Sequence, residues 1–206
     1  MNTGASIYDI LVWTFIGFIS GSIPWSLVCV KAFSGLDVRS IGDGNPGATN
    51  AWLLSGWVVG SISMALDICK ALIPVWVAGN YYISSSDPTY TLAVTLISMA
   101  PIIGHAYSPL LRFKGGKALA PSWGSWIALT SGVAFPVALI ILGLMHLTQK
   151  NHAFTVTICL VGFIVIFSIF DSHSLALFGL LNLTLVAFKH RSEYQKGFVF
   201  RSWVRT

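Results

Sequence analysis

Three short polar segments hold the residues whose types and spacing could do chemistry. The first reads Gly42-Asp43-Gly44-Asn45-Pro46-Gly47-Ala48-Thr49-Asn50. Glycine lets successive backbone N–H groups converge, and such nests bind anions without a charged side chain. Asn45 and Asn50 add amide donors. A plain turn between helices is the competing reading, but about four or five residues would suffice for one, and a ligand loop is favoured. The second segment begins Gly104-His105 and continues through Phe113-Lys114-Gly115-Gly116-Lys117. Two glycines between two lysines, followed by a helix expected from about Ser122, make a phosphate cradle of backbone donors, helix dipole and ammonium groups. Its lysines could also be a topology signal alone. It lacks the GxxxxGK[ST] spacing, so nucleotide hydrolysis is not indicated. The third segment, Lys189-His190-Arg191, opens a basic tail that reads mostly as a collar for anionic headgroups. His190 stands at its head, level with the two loops.

Other chemistries find no support. His146, His152 and His173 are isolated near segment ends and read as interfacial residues. There is no HExxH, no GxSxG and no usefully spaced carboxylate pair, which argues against proteolysis, serine hydrolysis and zinc chemistry. Cys29, Cys69 and Cys159 sit alone in apolar stretches and read as structural thiols. No metal site, cofactor or nucleic-acid partner is expected.

The elements that position these segments must lie in a membrane. The chain has 206 residues, of which 9% are charged and 55% apolar, and its mean hydropathy is +0.76. Soluble domains carry roughly a quarter charged residues, and a disordered chain would be polar. Apolar runs cover about 7–33, 51–79, 89–104, 123–145, 153–170 and 174–188. The first is long enough to cross about 30 Å of hydrocarbon, and its Gly17 and Gly21 could seat a neighbouring helix within the bundle. Pro136 is expected to kink the run 123–145. Asp67 and Lys70 lie three apart in the second run and share a helix face. They either lock helices together as a buried pair or brace a polar site.

Basic residues fill the segments 31–39, 112–117 and 189–205, while 80–88 has no Lys or Arg but has Asp87. The positive-inside bias places the three basic segments in the cytoplasm. The first six residues lack basic side chains, which argues for an outside N-terminus and against a secretory signal peptide. Three full spans after the second loop would put the basic tail outside. One of the last three segments must therefore be partial or re-entrant. The expected architecture is one all-α membrane domain over 1–206, with about five full spans plus short helices, up to seven in all. Anion donors at a membrane surface suit a phosphate-bearing substrate with a lipid tail.

Gly21-Ser22-Ile23-Pro24, Gly42 to Asn50, Asp67 to Lys70, Gly104-His105, Phe113 to Lys117 and Lys189 to Arg191 together resemble, in order along the chain, the PlsY family. These are bacterial acyl-phosphate:glycerol-3-phosphate acyltransferases. The resemblance implies a multi-pass inner-membrane protein with cytoplasmic motif loops and C-terminus, and no cofactor or metal. The implied reaction moves an acyl chain from acyl phosphate to glycerol 3-phosphate, giving lysophosphatidic acid; a monomer is expected. It places Asn45, Gly47, Thr49 and Asn50, with neighbouring Gly44, on phosphate or the reacting carbonyl. Lys114, Gly115, Gly116, Lys117 and Arg191 would hold the other phosphate, while His105 and His190 wall the pocket.

The chain also departs from the family pattern. Asp43 stands where serine is usual, Leu53 where arginine is common, and Glu193 where asparagine follows the third motif. Each exchange makes the site more negative by one charge. Two like charges 4 Å apart repel by about 4 kcal/mol at an effective dielectric of 20. A divergent member is implied, with Asp43 as a possible general base, Glu193 in the substrate site, and a less anionic acceptor as an alternative. A second alternative is a lipid-binding protein that keeps the fold without catalysis.

Overall fold

The computed structural model describes residues 6–83, 89–169 and 173–201. Asp87, the end of the basic segment at Arg205 and the first five residues, all used in the topology argument, lie outside the described residues. Helix α1 (Ile7–Ser22) opens with a capping box, in which the Ser6 side chain accepts from the Asp9 N–H and the Asp9 carboxylate from the Ser6 N–H. Pro24 cannot continue its hydrogen-bond ladder. The chain breaks there and restarts as α2 (Trp25–Ser34), which ends at a left-handed Gly35. Next comes α3 (Ala48–Tyr81), sharply broken at Gly56, where φ is 79°. It is followed by α4 (Tyr90–Ala106), α5 (Leu119–Leu129), α6 (Ala134–Thr148), α7 (His152–Ile169), α8 (His173–Lys189) and the single turn α9 (Arg191–Tyr194).

Small residues let these helices meet backbone to backbone, as they must where lipid offers no hydrophobic drive between helices. Gly21 packs on α4 so closely that a β-carbon would stand 2.1 Å from the Pro101 carbonyl oxygen. Gly124 of α5 meets α3 in the same way, 2.2 Å from the Ile68 carbonyl. The expected seating of Gly17 and Gly21 is therefore within the bundle. Around Trp126 the rings of Phe163, Phe167 and Phe178 form a buried aromatic core. The Trp126 indole donates to Asn182 Oδ1 at 3.1 Å, so the one polar edge of that core is satisfied.

Contacts at the helix ends sort them onto two faces. Trp13 packs against Tyr82 with tilted rings, and Thr91 bonds Ser174, at one face. At the other, Lys117 just before α5 meets Glu193. Asn151 just after α6 donates to the Glu193 and Gly197 carbonyls. Both ends of the segment 119–148 thus lie on one face, and α5–α6 is a hairpin that enters and returns. Among the described residues, four helical stretches are long and apolar enough to cross a bilayer: Ile7–Ser34, Ala48–Tyr81, Tyr90–Leu111 and His152–Ile169. The 17 residues of α8 rise about 25 Å and return the chain to the face it left with α7. The parity conflict is resolved by the hairpin.

Two local expectations change. The break in the run 123–145 falls at Thr130–Val133, where Ser131 and Gly132 take positive φ. Pro136 sits in the first turn of α6, where a missing N–H costs nothing. The helix after the second loop begins at Leu119 rather than near Ser122, because Ala118 adopts the left-handed conformation that launches it.

Candidate active site at the joined polar loops

Asn50, buried in the first turn of α3, organises the first loop. Its amide donates to the Ile41 carbonyl, the Asn45 carbonyl and Asp43 Oδ1 at 3.1, 2.9 and 3.0 Å. Gly42 (φ 63°) must lack a side chain, since a β-carbon would stand 2.5 Å from Asn50 Oδ1. Asp43 Oδ1 also takes the Asn45 N–H, closing an Asx turn. Asn50 is therefore engaged in shaping the loop, while Gly44, Gly47 and Asn45 lie around its rim and Thr49 is exposed.

The second loop is laid against α4. Ser108 donates to the Ser22 carbonyl, 2.6 Å away, one of the groups freed by the α1–α2 break. Gly115 passes over the His105 carbonyl, where a β-carbon would be 1.9 Å from its oxygen, and the Gly116 N–H donates to that same oxygen at 3.1 Å. A β-carbon on Gly116 would fall 2.2 Å from His105 Nε2. The paired glycines are thus required for contact with His105, and the Gly116 N–H is not open for an anion. Lys189 secures the loop by donating to the Ala106 carbonyl at 2.8 Å and the Gly115 carbonyl at 3.3 Å. Lys114 and Arg191 are exposed, the latter lying over the Phe188 ring.

Lys117 brings all three segments together. Its ammonium contacts Asp43 Oδ2 at 2.5 Å and Glu193 Oε1 on α9. The two acids read in the sequence as departures from the family pattern therefore meet on one cation. Burial disfavours the charged form of Asp43, but bonds from Lys117, the Asn45 N–H and Asn50 outweigh it and hold its pKa below the ordinary value. Burial likewise opposes charge on Lys117, and the two carboxylates outweigh it and raise its pKa. His190, almost wholly buried, caps α9 and pairs its Nδ1 with the Val186 carbonyl. Leu53 is exposed on the short helical piece before Gly56.

One turn deeper lies a network the sequence only half discloses. Lys70 Nζ reaches Asp67 Oδ1 at 2.7 Å, the Ile23 carbonyl at 2.8 Å and His105 Nδ1 at 2.7 Å. Ser26 donates to the second oxygen of Asp67. The three-residue spacing pointed to the Asp67–Lys70 pair. Its link to His105, 35 positions away, carries no local signal. Among the described residues no group of three or more His, Cys, Asp or Glu side chains could hold a metal. A cleft of about 520 Å³ beside His146 and Arg201 lies at the end of α6, away from Lys117.

Comparison with known proteins gives the family and the fold. The family model described as glycerol-3-phosphate acyltransferase matches residues 11–198. Glycerol-3-phosphate acyltransferase 1 of Thermotoga maritima is 32% identical over 199 residues, covering 88% of this chain and 96% of its own. The glycerol-3-phosphate acyltransferase of Anaeromyxobacter sp. (strain K) is 31% identical over 186 residues, covering 87% and 89%. A crystal structure of PlsY (YgiH), an integral membrane glycerol 3-phosphate acyltransferase in its glycerol 3-phosphate form, shares the fold. Its TM-score is 0.75 at 24% identity, over 91% of this chain and 90% of that one. The chain belongs to the glycerol-3-phosphate acyltransferase family.

Proposed function

We propose that this multi-pass membrane protein transfers a fatty acyl group from acyl phosphate to glycerol 3-phosphate, giving lysophosphatidic acid and inorganic phosphate. The observation that carries this reading is Lys117, a cation at one membrane face that joins all three polar segments. The acceptor hydroxyl forms a C–O bond to the acyl carbon while the acyl–phosphate bond breaks. The hydroxyl proton passes to the departing phosphate. Because the donor is already activated, no covalent nucleophile is required, and positioning with charge stabilisation can supply most of the rate. Lys117 is the group suited to a substrate phosphate, with Asn45 and the glycine-rich first loop at its side. Asp43, held ionised, sits where it would orient the acceptor hydroxyl, and Glu193 holds Lys117 from the tail. Localisation to the bacterial inner membrane, a cytoplasmic site and action as a monomer belong to the same reading.

The two carboxylates on Lys117 favour one alternative, an acceptor less anionic than glycerol 3-phosphate. Purified protein in lipid, given palmitoyl phosphate and a panel of glycerol 3-phosphate, dihydroxyacetone phosphate and glycerol, separates the two. Lysophosphatidic acid formation at an ordinary enzymatic rate supports the proposal. Acylation of glycerol alone would establish the alternative, and turnover only with thioester donors would overturn the donor assignment.

A further inference from the structure

The second polar network, around Lys70, lies wholly inside the helix bundle and fixes the proton inventory of His105. An ammonium group has three hydrogens and accepts none. Around Lys70 Nζ stand three atoms at hydrogen-bonding distance: Asp67 Oδ1, the Ile23 carbonyl oxygen and His105 Nδ1. The first two can only accept. Because an ammonium has no lone pair, the 2.7 Å contact with His105 Nδ1 is a donation from Lys70, and Nδ1 must be unprotonated to receive it. A neutral imidazole whose Nδ1 accepts carries its hydrogen on Nε2.

The chain builds this arrangement from several elements. Pro24 ends the α1 ladder and leaves the Ile23 carbonyl facing inward for Lys70. Asp67, one turn before Lys70 on α3, holds the ammonium from one side, and Ser26 of α2 fixes the carboxylate by donating to Oδ2 at 3.0 Å. Lys70 and Asp67 have side chains only 2% exposed, so water does not substitute for these partners. His105 is at the end of α4, and its Nε2 edge faces the backbone of Gly116, next to Lys117. A β-carbon at 116 would stand 2.2 Å from Nε2, so only glycine fits beside that edge.

We propose that Asp67 and Lys70 are positioning residues that lock His105 as the Nε2–H tautomer, presenting a neutral hydrogen-bond donor to the loop of Lys117. In the acyl-transfer reading, on which its use rests, that donor is suited to an oxygen of the acyl phosphate, where negative charge grows as the carbonyl is attacked. His105 then acts by donation, and Nε2 is not available as a base.

The decisive measurement is nitrogen NMR of the full-length protein in lipid, labelled with ¹⁵N-histidine. The His105 signal, assigned by its loss in His105→Gln, is expected at neutral pH to show a protonated Nε2 and an unprotonated Nδ1. A protonated Nδ1, in either the other tautomer or an imidazolium, overturns the proposal whether or not the protein is an acyltransferase. A second arm uses turnover. His105→Gln, whose amide can donate from near the Nε2 position, is expected to keep clearly more kcat than His105→Asn at similar KM. Lys70→Met is expected to lower kcat about tenfold or more, with KM little changed, as for partners behind a functional group. Equal loss in Gln and Asn variants would contradict the donor role, while absence of activity in the wild type would sink the acyl-transfer reading and leave the tautomer result standing.

Discussion

At the scale of single residues, the account turns on Lys117 and the two acids that share it. Asp43 and Glu193 lie 74 and 76 positions from Lys117 along the chain. Their residue types flagged the site as unusually negative, but no spacing rule could reveal that both meet one ammonium. A substrate phosphate must compete with these carboxylates for Lys117. Asp43→Ser combined with Glu193→Asn is therefore expected to lower KM for a phosphate substrate several-fold, and unchanged or raised KM in steady-state assays would count against the competition. The pH behaviour follows from the directions of the shifts. Asp43 titrates below its ordinary 3.8, so its stabilising effect is full above that value and fades as pH falls through the lower folded value. Lys117 titrates above 10.5, so its effect is full below that value and fades as pH rises past the folded one. The thermal midpoint difference between wild type and Asp43→Asn should stay flat from about pH 5 to 9 and shrink only in stronger acid.

At the scale of elements, glycines decide how closely helices and loops approach. Gly21 and Gly17 were legible as a packing pair, because small residues four apart line one helix face. In the sequence Gly115 and Gly116 suit phosphate donors, and the structure gives them a different duty: they let the loop lie on the His105 carbonyl and ring. That duty was not legible, since a glycine pair looks the same whether the nearby atom is a ligand or a histidine. Gly21→Ala drives a methyl group into the Pro101 backbone and is expected to destabilise by about 1–3 kcal/mol. Gly79→Ala, with nothing within 4 Å, serves as its control and should leave the thermal midpoint in lipid or detergent essentially unchanged. Equal midpoints for the two would refute the packing argument. The α5–α6 turn shows the opposite limit. Thr130-Ser131-Gly132 carried a turn signal, but the apolar residues on both sides and the later Pro136 made a single kinked span the simpler reading.

At the scale of the whole molecule, scarcity of charge marks a membrane protein, and the bias of basic residues along the sequence implies that one of the last three segments is partial or re-entrant. What charge counting could not choose was which segment turns back. The contacts of Lys117 and Asn151 with the tail select α5–α6. After replacement of Cys29, Cys69 and Cys159, single cysteines at Lys114 and Lys150 should react with an impermeant maleimide from the same side of oriented vesicles. A cysteine at Tyr82 should react from the other side. Labelling of positions 114 and 150 from opposite sides would abolish the hairpin topology and with it the shared face for the three polar segments. The central claim, that Lys117 anchors a phosphate-dependent acyl transfer on that face, is tested most directly by one assay. Purified wild type and Lys117→Ala are given palmitoyl phosphate and radiolabelled glycerol 3-phosphate in lipid, with folding of both checked by thermal midpoint. The account expects labelled lysophosphatidic acid from the wild type and a loss of roughly a hundredfold or more in the variant. No product from folded wild type, or equal rates in the two proteins, would contradict it.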